Sequence, residues 1–467
     1  MLTLPIWAVV IGAALAIAGL YDRLLNPVMR WFFRSRANRA IDELNTRLRL
    51  KIRPFKMTKR EVLVDRLTHD PAIVSEAESY AKEMGMPVKV AMADAERYAR
   101  EIVPSFSAYT YFNIGMRFAR WISTSLYRVR LAFTDETLMQ AVDTDATVVF
   151  VMNHRSNMDY ILVTYMAASA TTLSYAVGEW ARIPVLQMLI RSMGAYFIRR
   201  NSRNGLYRKV LARYVQMATA AGVTQAMFPE GGLSRDGRLR PVKLGLISYM
   251  VEGFDPNGRD VVFIPVGLNY DRVLEDRSLV AEIGGPPPRQ AFYSKAAKSL
   301  AFIGKNLRLR FAGKWHKFGY ACVAFGKPLS LKSVFEGRNV SHFSDLGEEE
   351  RSAFIEYLGG ELMARIGAAV PAMPVSLVAQ VLVSKHGEGV DLLRLKAEVS
   401  DLIDKLGSQG VHVHIPRSDR DYAVTAGLRM FVLRDLVSED VDGLYRITPG
   451  EEALVAYYAN SLAHHGK

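Results

Sequence analysis

The chain has 467 residues, half of them hydrophobic, enough for two or three domains and a large core. Sixty lysines and arginines against 47 acids leave a net charge of +13, which suits nucleic acid, an anionic membrane surface or a phosphorylated substrate. A single cysteine, Cys322, excludes an intrachain disulfide framework and any multi-cysteine metal site.

Leu2 to Leu20 carries no charge and as a helix spans roughly 28 Å, close to the thickness of a bilayer core. No lysine or arginine precedes it, so it lacks the basic start of a cleaved signal peptide. Arg23, Arg30, Arg34, Arg36 and Arg39 follow. The positive-inside rule then puts the N-terminus outside and the rest of the chain in the cytoplasm, at the cytoplasmic membrane. Residues 1–22 are therefore expected to be one membrane anchor. Gly12, Gly19 and the many alanines favour the competing reading, a buried or surface-lying helix. From Arg23 to Arg60 basic residues far outnumber the acids Asp42 and Glu43, and Trp31, Phe32 and Phe33 sit among the arginines. That mixture suits the headgroup layer. It also suits nucleic acid, but no helix-turn-helix, zinc-finger or ribonucleoprotein signature is present.

Glu76 to Arg100 reads as helix. Tyr109 to Arg130 is amphipathic, with Tyr111, Phe112, Met116, Trp121, Leu126 and Tyr127 against Arg117, Arg120, Arg128 and Arg130. It fits either a membrane surface or the flank of a domain. From Ala146 strand-like runs at 146–152, 172–177, 194–198, 223–228 and 261–268 leave room for helices between most of them, which is α/β texture. A polar linker, Ser330 to Asp345, precedes a helix over Glu348 to Ile366. The remainder, Pro374 to His465, reads as helices with short strands near Val411–Ile415 and Leu444–Ile447, an order that resembles a winged helix. His412 and His414 lack an acidic or histidine partner at ligand spacing and read as structural.

Thr147-Val-Val-Phe-Val-Met152 is a buried strand by composition, and it stops in Asn153-His-Arg-Ser-Asn157 before an apolar helical segment. His154 and Asp159 are brought together by neither a helix nor a strand, but a turn into a helix can do it. Asp159 would then hold one imidazole nitrogen while the other faces a substrate hydroxyl. Ser156-Asn-Met-Asp159 equally fits a helix cap, with Asp159 a capping carboxylate and nothing more. Gly194-Ala-Tyr-Phe-Ile-Arg-Arg200 ends a short strand in two arginines, suited to phosphate oxygens or to solvent. Phe228-Pro-Glu-Gly-Gly-Leu-Ser-Arg-Asp-Gly-Arg238 is a glycine-rich charged loop that falls short of a P-loop, because Arg238 and Leu239 replace the needed Lys and Ser/Thr. Pro265 inside Val261–Leu268 marks an edge, a bulge or a wall beside a ligand.

Together these four blocks, in this order, resemble those of the glycerolipid acyltransferases. The His-Arg-Ser start, Arg199-Arg200, Glu230-Gly-Gly with Ser234-Arg235, Lys243-Leu-Gly245 and Asn269-Tyr-Asp-Arg272 resemble the glycerol-3-phosphate branch. Tyr457-Tyr-Ala-Asn-Ser-Leu-Ala-His464 is similar to that branch's C-terminal stretch. The likeness covers roughly residues 105–330 well and the C-terminal part faintly. Leu233 stands where the family usually has arginine, and Asn157 where the branch often has a second histidine.

The resemblance implies an acyltransferase domain over 136–330, an α/β fold with a central mixed sheet flanked by helices. A basic helical membrane-associated region, 23–135, precedes it, and a mainly helical domain, 331–467, follows. It implies a membrane-bound O-acyltransferase moving a fatty acyl group from coenzyme A or acyl carrier protein to the sn-1 hydroxyl of glycerol 3-phosphate, without metal, cofactor or nucleic-acid partner. His154 and Asp159 are the implied catalytic pair. Arg155, Ser156, Arg199, Arg200, Glu230, Gly231, Gly232, Ser234, Arg235, Lys243 and Pro265 are the implied substrate-binding residues, with Arg235 standing in for the arginine missing at Leu233. The helix start after Ser156, or N–H groups near Gly231, are the expected oxyanion donors. The competing readings are a lysophosphatidic acid acyltransferase and a membrane adaptor on a degenerate fold.

Overall fold

The computed structural model describes residues 48, 50–134, 136–167, 171–178, 184–199, 202–283, 317–385 and 387–465. The anchor expected over 1–22 and nearly all of the basic stretch up to residue 49 lie outside them. Among the described residues no helix is long and apolar enough to cross a membrane.

The five expected runs become strands β2 (Thr147–Met152), β3 (Ser174–Val177), β4 (Tyr196–Phe197), β5 (Gln225–Met227) and β6 (Val261–Tyr270), and two strands not among them, β1 (Arg128–Thr134) and β7 (Tyr320–Phe325), join the same sheet. They hydrogen-bond in the order β1-β7-β6-β2-β5-β3-β4, and β8 (Leu329–Ser330) pairs with β6. β2 is parallel to both β5 and β6, while β6 is antiparallel to β7 and β8, so the sheet is mixed, as expected. Every residue of β2 is buried, which is why its sequence is an unbroken apolar run rather than an alternating one. The compact unit that holds this sheet comprises Arg53–Ala168 and Thr172–Lys467, so the C-terminal helices share it.

Several local expectations change. The single helix read over Glu76–Arg100 is two, Pro71–Met84 and Val88–Ile102. Gly85 closes the first in the left-handed region (φ 63°), and Pro87 starts the second. The amphipathic stretch is a π-helix, Thr110–Gly115, running into the helix Met116–Leu126, after which Tyr127 turns extended into β1. The polar linker contains a helix, Leu331–Gly337, capped by Ser330, whose hydroxyl accepts from Ser333 N–H. Val411–Ile415 supplies only a bridge, Val413 to Ala372, whereas Tyr445–Ile447 is a strand paired with Val437–Glu439, following the helices Leu392–Ser408 and Arg420–Val432.

Pro265 does not mark an edge. It lies in β6, between β2 on one side and β8 and β7 on the other. Proline is tolerated there because the antiparallel neighbour changes at that point: β8 pairs with Val262 and Phe263, β7 with Val266 onward. The missing N–H falls in the gap, and the Pro265 carbonyl accepts from Gly326 N–H at 2.8 Å.

Candidate active site

β2 stops at Met152, opposite Val266, yet β6 runs on to Tyr270. The side chain of Asn153 makes this possible. Its Nδ2 donates to the Leu268 carbonyl at 2.9 Å, and Leu268 N–H donates to its Oδ1 at 2.7 Å. An amide side chain thus continues the ladder while the main chain leaves the sheet. His154 N–H then donates to Glu230 Oε1 at 2.9 Å, and the His154 carbonyl accepts from Ser234 N–H at 3.0 Å. The peptide on each side of the histidine is pinned to the loop after β5.

From there the chain turns into the helix Met158–Ala167, and the turn brings Asp159 back to His154. Asp159 Oδ2 lies 2.9 Å from His154 Nδ1 and also accepts the N–H groups of Arg155 (2.7 Å) and Ser156 (3.0 Å). Asp159 N–H donates to the Ser156 carbonyl, and Ser156 Oγ accepts from Met158 N–H at 3.1 Å. The carboxylate therefore makes the contacts that each reading of this stretch requires. One carboxylate caps the helix and orients the imidazole, because a carboxylate offers about four lone-pair positions. With Nδ1–H given to Asp159, the imidazole carries its lone pair on Nε2, the state a general base needs. The ring is stacked on Phe228 at 4.0 Å and meets Tyr160 edge-on at 5.4 Å. Both dyad side chains are buried.

A buried acid, Glu230, and a partly buried one, Glu275, brace the loop. Glu230 accepts from His154 N–H and, at 2.9 Å, from Arg240 N–H; burial raises its carboxyl to about 7. Glu275, also raised by burial, accepts from Ser156 Oγ (2.8 Å) and Asn157 Nδ2 (3.1 Å). Asn157, at the position of the branch's second histidine, thus has a holding role. Of the expected oxyanion donors, Met158 N–H is given to Ser156 Oγ, Asp159 N–H to the Ser156 carbonyl and Gly231 N–H to the Phe228 carbonyl.

The cationic residues are dispersed. The Arg199 guanidinium forks onto Glu101, with contacts of 2.9 and 2.5 Å, between the rings of Tyr98 and Tyr207. Glu101 raises its pKa. Arg200 lies outside the described residues. Arg235 is half-exposed and 3.2 Å from Glu282, and Lys243 is exposed. Arg240 reaches the carbonyl of Leu233 at 3.3 Å, which puts a guanidinium on the residue that replaces the family's arginine. Arg155 is buried. One of its nitrogens donates to the Gly237 carbonyl at 3.1 Å, while Nε and Nη2 have no hydrogen-bond partner among the described residues. Gly232 and Ser234 are buried in the same loop, where Ser234 Oγ accepts from Gly237 N–H and donates to the Arg238 carbonyl. Pro265, one strand over from Val151, lies in the sheet itself.

The C-terminal segment closes over this loop. The Tyr457 ring lies 5.1 Å from the Arg155 guanidinium, and Asn460 Nδ2 donates to the Asp236 carbonyl at 2.8 Å. Gly237 (φ 88°) must be glycine, because a Cβ there would sit 1.8 Å from the Tyr457 carbonyl oxygen. Sequence reasoning did not assign Tyr270, Glu275, Gly237 or Arg240 to the site. Only the glycine after Asp236 and the Asn269–Arg272 cluster offered a signal. Among the described residues no group of three or more His, Cys, Asp or Glu could hold a metal ion.

Comparison with known proteins bears on this site directly. An acyltransferase family model matches residues 133–269, and a model of the glycerol-3-phosphate acyltransferase C-terminal region matches residues 308–465. Glycerol-3-phosphate acyltransferases of Aeromonas hydrophila (28% identical) and Pseudomonas entomophila (30% identical) align over 88% and 87% of this chain, covering 50% and 49% of their own. The chain thus spans about half the length of the curated relatives it matches. A solved 1-acyl-sn-glycerophosphate acyltransferase from Thermotoga maritima is 19% identical, covering 55% of this chain and 79% of its own, with a TM-score of 0.29. The fold is an α/β acyltransferase fold with a histidine–aspartate pair at the carboxyl end of β2. Within that superfamily the chain is similar to the glycerol-3-phosphate acyltransferase branch.

Proposed function

We propose that the chain transfers a fatty acyl group from an acyl thioester, on coenzyme A or acyl carrier protein, to the sn-1 hydroxyl of glycerol 3-phosphate. The observation that carries this reading is the buried 2.9 Å contact of His154 Nδ1 with Asp159 in a chain of this family. Nε2 takes the hydroxyl proton as the oxygen attacks the thioester carbonyl. The C–O bond forms, the C–S bond breaks, and the imidazolium returns the proton to the departing thiolate. Asp159 stabilises the imidazolium without becoming protonated. The acceptor phosphate is assigned to Arg199, Arg200, Arg235 and Lys243, and Arg235 and Arg199 exchange Glu282 and Glu101 for it. The test is thioester consumption by the full chain with glycerol 3-phosphate, lysophosphatidic acid or no acceptor. Turnover with glycerol 3-phosphate alone is expected. Turnover with lysophosphatidic acid alone moves the acceptor, and none with either makes the chain a non-enzymatic adaptor.

The protein acts at the cytoplasmic membrane, with the catalytic unit on the cytoplasmic side. The basic stretch after residue 22 supports this side, and an exposed apolar face supports attachment. Tyr109, Ile114, Phe118 and Trp121 are exposed along the π-helix and the helix after it, beside exposed Arg117 and Arg120. Aromatic side chains interleaved with arginine suit an anionic headgroup layer. Sedimentation with anionic but not zwitterionic vesicles, weakened in Trp121→Ala, is expected. Equal binding to both vesicle types would remove the electrostatic part of this reading.

A further inference from the structure

Asp159 is gripped at both oxygens. Oδ2 carries the imidazole and two backbone N–H groups, and Oδ1 accepts the hydroxyl of Tyr270 at 2.6 Å. That length is in the range of charge-assisted O–H···O⁻ bonds. Tyr270 is the last residue of β6 and is fully buried. It arrives there because Asn153 splices β6 onward past the end of β2. Its ring is backed by Tyr127, centroids 5.3 Å apart, and the Tyr127 hydroxyl donates to the Arg272 carbonyl at 2.8 Å. Burial, then the neighbouring Asp159 charge, keep the Tyr270 phenol protonated well above its ordinary range, so it stays a donor.

We propose that Tyr270 is a positioning residue of the acyl transfer: its hydroxyl locks the Asp159 carboxylate in rotation and draws charge toward Oδ1. Two consequences follow for His154. The carboxylate cannot turn away from Nδ1, and its pull on the imidazole proton is moderated, because a donor on one oxygen lowers the basicity of the whole group. Without the hydroxyl, charge concentrates on Oδ2, the imidazolium is held more tightly, and the base titrates at higher pH. The other groups around the dyad are Glu230 and Glu275, which bond to its loop from the segments after β5 and β6, Arg155, and the phenols Tyr127, Tyr160, Tyr175 and Tyr457. None of these is altered by Tyr270→Phe, which keeps the ring and removes one O–H.

The inference rests on the proposed reaction, so the experiment has two readouts on the full chain. The first is the pH profile of kcat/KM for glycerol 3-phosphate. The second, independent of turnover, is the pH titration of His154 by imidazole ¹⁵N resonances, assigned with His154→Ala. In Tyr270→Phe, kcat should fall about tenfold with both KM values within about twofold. The acidic limb and the imidazole titration should both move up by about half a pH unit. Tyr127→Phe, which leaves the Tyr270 hydroxyl in place, should leave the limb where it is in the wild type. Wild-type kcat with an unmoved limb in Tyr270→Phe overturns the proposal. So does a rate loss without any shift of the imidazole titration, which would make the hydroxyl only a filler. If the wild type turns over no thioester with any acceptor, the reaction is wrong, and the ¹⁵N titration still decides whether Tyr270 tunes His154.

Discussion

The His154 loop and the cations expected to hold the phosphate are built in opposite ways. The loop is buried and joined by hydrogen bonds to β6 through Asn153 and Tyr270, to the following loop through Glu230, and to Glu275. Arg235 and Lys243 are exposed, and the described arginines of the expected phosphate set lean on single carboxylates, Glu101 and Glu282. A proton-transfer group gains from a fixed orientation, because its work is done over a fraction of an ångström. A group that binds a charged substrate must release whatever neutralises it beforehand, so a loose, partly exposed partner suits it. Substitutions should divide accordingly: those in the loop act on kcat or on stability, and those among the cations act on the acceptor KM.

The largest effect is expected from His154→Ala, which should lower kcat about 10²–10⁴-fold with a folded circular-dichroism spectrum. A loss below tenfold would place the base elsewhere. Gly237→Ala tests the seam with the C-terminal segment. The new methyl would overlap the Tyr457 carbonyl, and φ is +88°. Unfolding in denaturant should show a loss of about 2–4 kcal/mol, and a stability unchanged from wild type would mean the segment lifts freely.

Arg235→Ala should raise the acceptor KM about 10- to 150-fold and leave the donor KM alone, the range for a lost charge-assisted contact. Arg235→Lys should recover only part, since lysine keeps the charge and loses the fork. An unchanged acceptor KM moves the phosphate to the Arg199 side. The smallest effect on turnover is expected at Glu230, whose carboxyl bears on stability. Burial raises its carboxyl to about 7 from an ordinary 4.5. The folded chain therefore keeps a proton between about pH 4.5 and 7 that the unfolded chain gives up. This contribution to stability is present below pH 4.5 and is lost as pH rises to about 7. Glu230→Gln should flatten the stability profile across that window by up to about 3 kcal/mol in urea titrations. Asp271, raised to about 7 likewise by burial, should leave a residual slope of the same sign.

What could be read in the sequence was whatever depends on neighbours in the chain. Strands β2 to β6 show as apolar runs, β1 and β7 did not stand out, and the His154–Asp159 turn shows as spacing. Gly85 and Pro87 mark the break between the two N-terminal helices locally. Dyad and cap do not exclude each other, because one carboxylate has oxygens enough for both sets of contacts. Tyr270, Glu275 and the fit of Gly237 against Tyr457 depend on residues more than a hundred positions apart, and no local pattern announces them. Pro265 misled for a related reason: whether a strand proline is tolerated depends on where its neighbours change, which is set by the sheet.

The central claim is that Asp159 acts on the reaction through His154 as well as capping the helix. Asp159→Asn separates the two roles, because asparagine keeps an oxygen for the Arg155 and Ser156 N–H groups and loses the charge that stabilises an imidazolium. We expect kcat/KM for glycerol 3-phosphate to fall at least about 100-fold with thermal unfolding close to wild type. Near-normal turnover in that variant would make Asp159 a cap alone and contradict the account.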